Sequence, residues 1–407
     1  MSISSSGKRG SVDTTALAYL VVLAGIATAL HIWKLPPALP ALQAELGLTL
    51  VESGFLLSLV QMAGMTLGLV MGLFAEKIGL RRCLLLGLLV LSVASAAGAV
   101  FVDKTLLLVF RAVEGCGFLM VVMPGPALIR RLVAPGQLAR LMGVWGTYIP
   151  IGAVLSLLGG SWLLSMLNWK VLWLLLSLAT LLTALVAWRL LPRDPARLAR
   201  AERSSALSIV RTTLASESNW LLALCFCVYA GQWIAVIGFL PTIYALAGIS
   251  GPVAGVLTAL VAGSNAAGCF AAGRLLHRGV SPRKLMTIGY ATMIATTFIA
   301  FGIGAPVWVQ FLMVLLFSTV GGLVPTTLFL LVIRLAPTPE TTSTSIGWLQ
   351  QVSAAGQFAG PPLVAWVATL AGGWQLTWVV TGLAGLLGIA MASRLGARMR
   401  AGVAAKG

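Results

Sequence analysis

Apolar stretches of about twenty residues follow one another almost from end to end of this chain, parted only by short breaks that carry charge, glycine or proline. A helix of that length crosses the hydrocarbon core of a bilayer, because about 20 residues at 1.5 Å rise span roughly 30 Å. Across the 407 residues 59% are hydrophobic and 9% charged, with a mean hydropathy of +1.00, whereas a soluble domain is roughly 45–50% apolar. Water is therefore not the solvent for most of this surface. The pattern predicts twelve helices, at 16–44, 51–76, 82–101, 104–132, 137–165 and 168–191, then 219–246, 252–277, 284–303, 305–335, 341–370 and 374–396. The one long polar stretch between spans, residues 192–218, holds Arg193, Asp194, Arg197, Arg200, Glu202, Arg203, Arg211 and Glu217. It divides the chain into a six-helix half at 16–191 and a second at 219–396, with short tails at 1–15 and 397–407. The expected fold is an all-α membrane protein, twelve transmembrane helices in two pseudo-symmetric six-helix bundles.

A net charge of +17 on a soluble protein would suggest nucleic acid. Here most of the cations cluster in the tails and in alternate inter-helix loops: Lys77/Arg81/Arg82, Arg130/Arg131/Arg140, the run from Arg189 to Arg211, Arg274/Arg278/Arg283/Lys284 and Arg394/Arg398/Arg400. Lys104 and Lys170 alone fall in the opposite loops. That asymmetry marks the cytoplasmic side, so the expectation is a multi-pass protein of the cell inner membrane with both termini cytoplasmic. The clusters read as topology signals and contacts to lipid phosphates, with no nucleic-acid partner. The polar, Ser-rich opening residues run straight into a long apolar span, so no removable signal peptide is expected. The five cysteines lie in apolar segments without metal-type spacing, and two His with ten acids make no nucleophile–base cluster. The residues point to no enzyme, no metal and no cofactor.

The halves superpose by counting. A shift of 201 carries Leu39-Pro40 onto Leu240-Pro241, Gly47 onto Gly248, Gly54 onto Gly255, Gly72 onto Gly273 and Pro124 onto Pro325, and a shift of 205 carries Trp169 and Trp173 onto Trp374 and Trp378. Parallel six-helix repeats with a solute site near mid-membrane between them are the architecture of alternating-access carriers.

Three segments carry ionisable residues where they matter. After helix two stands Gly72-Leu73-Phe74-Ala75-Glu76-Lys77-Ile78-Gly79-Leu80-Arg81-Arg82. Gly72 suits close helix packing, Gly79 suits a turn, and the acidic–basic group of Glu76, Lys77, Arg81 and Arg82 is a conformational latch for helix ends or a solvated loop. Its counterpart runs Gly273-Arg274-Leu275-Leu276-His277-Arg278-Gly279, with His277 in the acidic place. Helix four carries Arg111-Ala112-Val113-Glu114-Gly115-Cys116-Gly117, where Arg111 and Glu114 share a face and either pair with each other or face the cavity. Helix one carries His31 and Lys34 ahead of Pro36-Pro37. Lys34 either snorkels to the outer interface or joins His31 and Arg111 in a cationic site for an anion, His31 being able to change charge near neutral pH. The 201 shift sets Gln232 opposite His31 and Trp233 opposite Ile32, so the second half answers with neutral groups. Of the other polar residues in spans, Tyr148 is taken as a further solute contact; Gln61, Tyr229, Asn265, Gln351, Gln357 and the rest read mostly as hydrogen bonds between helices.

The loop segment resembles the Gly-x-Leu-Ala-Asp-Arg-x-Gly-Arg-Arg motif of the major facilitator superfamily, with Glu76 for Asp, Lys77 for the first Arg and Leu80 for the next. The helix-four run resembles that family's Arg-x-x-Gln-Gly-x-Gly pattern, with Glu114 for Gln. Together with the Leu-Pro and Trp landmarks the likeness covers nearly the whole chain. Pro40…Gly47-Leu48…Gly54 and Phe239-Leu240-Pro241-Thr242 look like the cyanate/nitroimidazole branch, whose helix-one Arg has His31 and Lys34 as nearest replacements here. The resemblance implies a secondary transporter, working as a monomer, for a small anionic solute. Lys34 would be the anion-binding cation and Glu114 or His31 the carrier of a coupling proton in symport. A proton-driven drug or metabolite exporter and a non-transporting membrane sensor are the alternatives.

Overall fold

The computed structural model describes residues 14–194, 203–249, 251–338 and 341–404; the parts of the expected tails and linker at 1–13, 195–202 and 405–407 lie outside the described residues. All twelve expected spans form. They are α1 (Thr14–Leu46), α2 (Leu50–Met71, its helix continuing to Ile78), α3 (Leu80–Val100), α4 (Lys104–Leu132), α5 (Gly136–Met166) and α6 (Trp169–Leu190), then α7 (Glu217–Leu246), α8 (Gly251–His277), α9 (Pro282–Gly302), α10 (Val307–Leu335), α11 (Thr342–Ala371) and α12 (Trp374–Met399). A short helix, Arg203–Ala215, lies in the linker. Broad rows of large apolar side chains, such as Leu178, Leu182 and Leu185 on α6 and Leu383, Leu386 and Leu387 on α12, are more than half exposed or close to it. Faces of that kind belong against lipid tails.

Eleven of the twelve are apolar enough to cross a membrane by composition, and α11 is the exception. Its polar residues explain why it needs less apolarity. Gln351 and Gln357 are turned toward the first half, where Gln357 Oε1 accepts from Gln61 Nε2 at 3.0 Å and Gln351 meets the backbone of α2. A helix facing another helix instead of lipid can carry amides at its seam.

Proline and glycine set the bends. Pro36 and Pro37 lack the N–H groups that would bond the carbonyls of Ile32 and Trp33, so α1 breaks at Lys34 into Thr14–Trp33 and Leu35–Leu46. In α2 a 3-10 turn at Leu59–Gln61 makes a second break at similar depth. Pro124 and Pro325, equivalent by the repeat, stand at breaks in α4 and α10. Gly117 lies against Gly87 of α3, where an added Cβ would come within 2.8 Å of Leu91 Cγ, and Gly115 lies under the Val60 backbone. The glycines of the helix-four motif are therefore points of close approach to α3 and α2. Gly273, of the expected second latch, faces open space.

The halves are joined along two seams. In one, α11 packs on α2 from Gly54, beside Pro361–Pro362, down to Gly68, beside Gln351. In the other, α8 packs on α5, with Gly255 against Leu157 and Ser161 and Gly263 against Val154. We call the side where α6 ends and α7 begins the linker end. The seams cover the opposite, far end and the middle; nearer the linker end α4 and α5 pack on α1, and α10 packs on α7, α8 and α9.

Candidate functional site

The break in α1 places Lys34 at mid-depth and fully buried, which excludes snorkelling to the interface. Its Nζ lies 2.5 Å from Glu114 Oε1, 2.9 Å from Ser95 Oγ and 4.4 Å from the centre of the Trp173 ring, so an ammonium out of water is held by a carboxylate, a hydroxyl and an aromatic face. Ser95 passes its own proton to the Trp173 carbonyl at 3.0 Å. His31, also fully buried, has Nε2 2.8 Å from Thr180 Oγ1 and Nδ1 3.4 Å from Lys34 Nζ and 3.8 Å from Glu114 Oε1. Glu114 turns its second oxygen, Oε2, to Arg111 at 2.8 Å.

Arg111 is engaged on every side. Its guanidinium donates to the carbonyls of His31 (2.5 Å) and Ile32 (2.9 Å) and, through Nε, to Leu56 (3.0 Å). The Ile32 carbonyl is one that Pro36 left without a donor, and Leu56 stands just before the 3-10 turn of α2. Arg111 thus bonds the backbone at both helix breaks, using the planar fork that only arginine offers. Of the two readings open for Arg111 and Glu114, the structure places them as partners of each other. By formal charge the cluster holds two cations to one carboxylate, and His31 would add a third cation if protonated.

The remaining expected residues divide. Trp233 of α7 meets Trp33 edge-on across the halves, centroids 5.6 Å apart, and donates to Ser318 Oγ at 3.1 Å. Gln232 is buried, and neither its Nε2 nor its Oε1 has a hydrogen-bond partner among the described residues; the same is true of Trp33 Nε1. Tyr148 is not brought to the cluster: it packs on Trp145 (4.8 Å) and Gly25, on the linker side of His31.

Around the expected latch the structure adds an acid from the linker. The side chain of Glu76 and the surroundings of Gly72 lie outside the described residues. Asp194, at the start of the linker, accepts from the backbone N–H of Arg81 (3.1 Å) and Arg82 (3.2 Å) and pairs with Arg131 at 3.2 Å. A carboxylate on the first amides of α3 satisfies donors that a helix start leaves open. Gly79, at φ +102°, leaves it room: a Cβ there would fall 2.7 Å from Asp194 Cγ. This staple binds α3, α4 and the end of α6 within one half. In the second half Arg278 is exposed at the end of α8 and its segment holds no acid. At the far end Lys104 pairs with Glu52 and Lys170 with Glu45, each at 2.8 Å.

Ser95, Thr180, Trp33 and Asp194 were not legible as site residues. Small hydroxyls and an indole in an apolar run look like packing, and only the fold shows what they face; Trp173 carried a signal in the repeat, though not as a partner for Lys34.

The family model described as the Major Facilitator Superfamily matches residues 17–356 and 222–405. The puromycin resistance protein pur8 of Streptomyces alboniger is 32% identical over 223 residues, 52% of this chain and 42% of that protein. The inner membrane transport protein YnfM of Escherichia coli K12 is 26% identical over 188 residues, 46% and 45% of the two chains. These matches span less than half the length of each relative. Among solved structures, a bacterial homologue of the human lysosomal transporter Spinster, in an inward-facing and occupied conformation, superposes with a TM-score of 0.81 at 17% identity over 95% of this chain and 98% of that one. A D-xylose–proton symporter does so at 0.74 and 15% identity over 94% and 97%. At such identities the likeness is one of fold.

Proposed function

We propose that this chain, which belongs to the Major Facilitator Superfamily, is a secondary transporter that moves a small anionic solute across the inner membrane by alternating access, coupled to protons at Glu114. The observation that carries the reading is the buried Lys34–Glu114–Arg111 cluster, one carboxylate between two cations with His31 beside it. With Glu114 ionised, Lys34 is committed to it. Adding a proton to Glu114 releases the ammonium and leaves two cations uncompensated in a low-dielectric site, which raises the affinity for an anion. By reciprocity a bound anion raises the affinity of Glu114 for its proton, and this mutual support is what symport requires. Arg111, bonded to three backbone carbonyls, keeps the cluster in place.

Two features support an orientation with the linker end in the cytoplasm: the cation clusters lie there, and the far-end lysines Lys104 and Lys170 are each matched by a carboxylate. The two seams, α2 on α11 and α5 on α8, are the contacts that alternating access would part.

Proton-driven export of drugs is the second reading, favoured by the relatives: one is named for puromycin resistance, and another is a Mycobacterium tuberculosis multidrug resistance protein B homolog, 34% identical over 125 residues. Flux into proteoliposomes, measured for anionic, neutral and cationic solutes with and without a pH gradient, separates the two. Anion uptake that rises with an inward proton gradient, is lost in Lys34→Ala and loses its gradient dependence in Glu114→Gln is the expected result. Intact anion uptake in Lys34→Ala would remove the cationic site, and preference for cationic solutes moved outward would favour the exporter.

A further inference from the structure

At the linker end of α2 and α3, outside the cluster, lies an open cavity of about 680 Å³. Its walls are of two kinds: the cations Lys77, Arg81 and Arg82, and the apolar side chains of Ile78, Leu85, Leu86 and Trp188. Arg81/Leu85 and Arg82/Leu86 are four apart on α3, so each cation stands one helical turn, about 5.4 Å, from a leucine. The apolar wall runs on along the lipid-exposed face of α3 through Leu89 and Val93, which are 46% and 59% exposed, and Trp188 is 57% exposed at the rim. Charge thus gives way to hydrocarbon in one direction, over the distance that separates a phosphate from the start of acyl chains.

We propose that this cavity binds an anionic phospholipid, its phosphate on Lys77, Arg81 and Arg82 and its chains against Leu85, Leu86 and Trp188. Two observations point to an acceptor there. Arg81 donates through one guanidinium nitrogen to the Trp188 carbonyl, which fixes the group at the cavity wall, while its buried Nε has no partner among the described residues. The N–H groups of Arg81 and Arg82 at the start of α3 are already taken by Asp194, itself held by Arg131, so recognition of an anion there falls to the cationic side chains that line the cavity. A soluble phosphate gains nothing from the leucines and the indole, whereas a lipid uses both walls, and basic pockets between helix ends on the cytoplasmic side suit anionic headgroups. The bound lipid would bridge α2, α3 and α6 beside the Asp194 staple, whichever solute the protein carries.

Native mass spectrometry of the full chain in detergent tests the site, with phosphatidylglycerol and phosphatidylcholine of identical chains as probes. Phosphatidylglycerol should be retained about tenfold more than phosphatidylcholine, and Lys77→Gln/Arg82→Gln should cut that retention about tenfold or more, given the attraction expected of two cations near an anionic headgroup. Arg81 is left in place so that its contact with α6 survives, and thermal melting in lipid-free detergent checks that the double variant folds. Arg278→Gln/Lys284→Gln removes the same charge from the second half and should leave retention unchanged. Equal retention of the two lipids, or equal loss in both double variants, would reduce the effect to general basicity and overturn the proposal. Displacement of the lipid by an equal concentration of glycerol 3-phosphate would overturn it as well, by making the site one for soluble phosphate.

Discussion

Gln351→Ala should shift the protein toward a conformation open at the far end. The Gln351 amide reaches from α11 across the seam and grips one turn of α2, accepting from the Leu69 N–H at 2.7 Å and donating to the Met65 carbonyl at 2.9 Å. It can do so because Gly68 leaves the groove open; a Cβ there would stand 3.1 Å from Gln351 Cβ. A hydrogen bond between membrane helices averages about 0.6 kcal/mol and reaches about 1.7. Two of them, lost only in the joined state, are worth about 1–2 kcal/mol, a factor of roughly 5–30 in a two-state ratio. Spin labels at Met166 and Leu246, which are exposed near the far ends of α5 and α7, would read that ratio by pulsed dipolar spectroscopy in a background with the five cysteines replaced. The expected result is a long-distance component about five- to thirtyfold larger relative to the short one. Gln357→Ala, which loses the single bond to Gln61, should shift it less. A distance distribution changed less than twofold in Gln351→Ala would refute the clamp.

Arg111→Lys keeps the charge but cannot reach three carbonyls and Glu114 together; it should destabilise the protein by about 3–5 kcal/mol, the range for breaking a buried ionic network, and a thermal melt in detergent with tryptophan fluorescence reads the loss. Asp194→Asn should weaken the cap on α3 and the pair with Arg131 at a cost of about 1 kcal/mol, seen as faster hydrogen exchange at the amides of Arg81 and Arg82 with little change in the middle of α3. Gln232→Leu removes a buried amide that has no partner among the described residues and should raise the melting temperature while weakening solute affinity in a binding titration.

What was legible in the sequence follows from the physics of the bilayer. Span length, the cation asymmetry of the loops and the order of Pro, Gly and Trp in the repeat are imposed on every residue of a segment, so they survive in one dimension. His31, Lys34, Arg111 and Glu114 stood out for the same reason, since an ionisable residue at that depth is costly unless something holds it. Their partners did not stand out. Ser95 and Thr180 are small hydroxyls on α3 and α6, and the carbonyls that hold Arg111 are backbone, which no residue type announces. Asp194 did not stand out beside Arg81 and Arg82 because Glu76 is the acid near them in sequence, whereas Asp194, which caps their amides, arrives from the far side of four more helices.

The division of chemistry between the halves gives the conformational cycle its direction. Among the described residues the buried charges belong to the first half and are bonded within it, so separating the halves leaves the Lys34–Glu114–Arg111 cluster intact. Several buried polar atoms have no partner among the described residues, and three of them, Trp33 Nε1 and both ends of the Gln232 amide, flank the aromatic contact between Trp33 and Trp233 at the junction of α1 and α7. Each buried polar group without a partner costs about 1–3 kcal/mol. That cost at the centre of the joined halves is relieved when the halves part and water reaches the groups. A solute that offers an acceptor to the indole and both an acceptor and a donor to the amide relieves it without parting them. That difference in contacts between the two conformations is what a solute must supply if its binding is to move the equilibrium. Under the proposed function the proton site and the solute's hydrogen-bonding site would be neighbours about the break in α1 with separate tasks: Glu114 and Lys34 would decide whether an anion is welcome, and Trp33 with Gln232 whether the halves close over it.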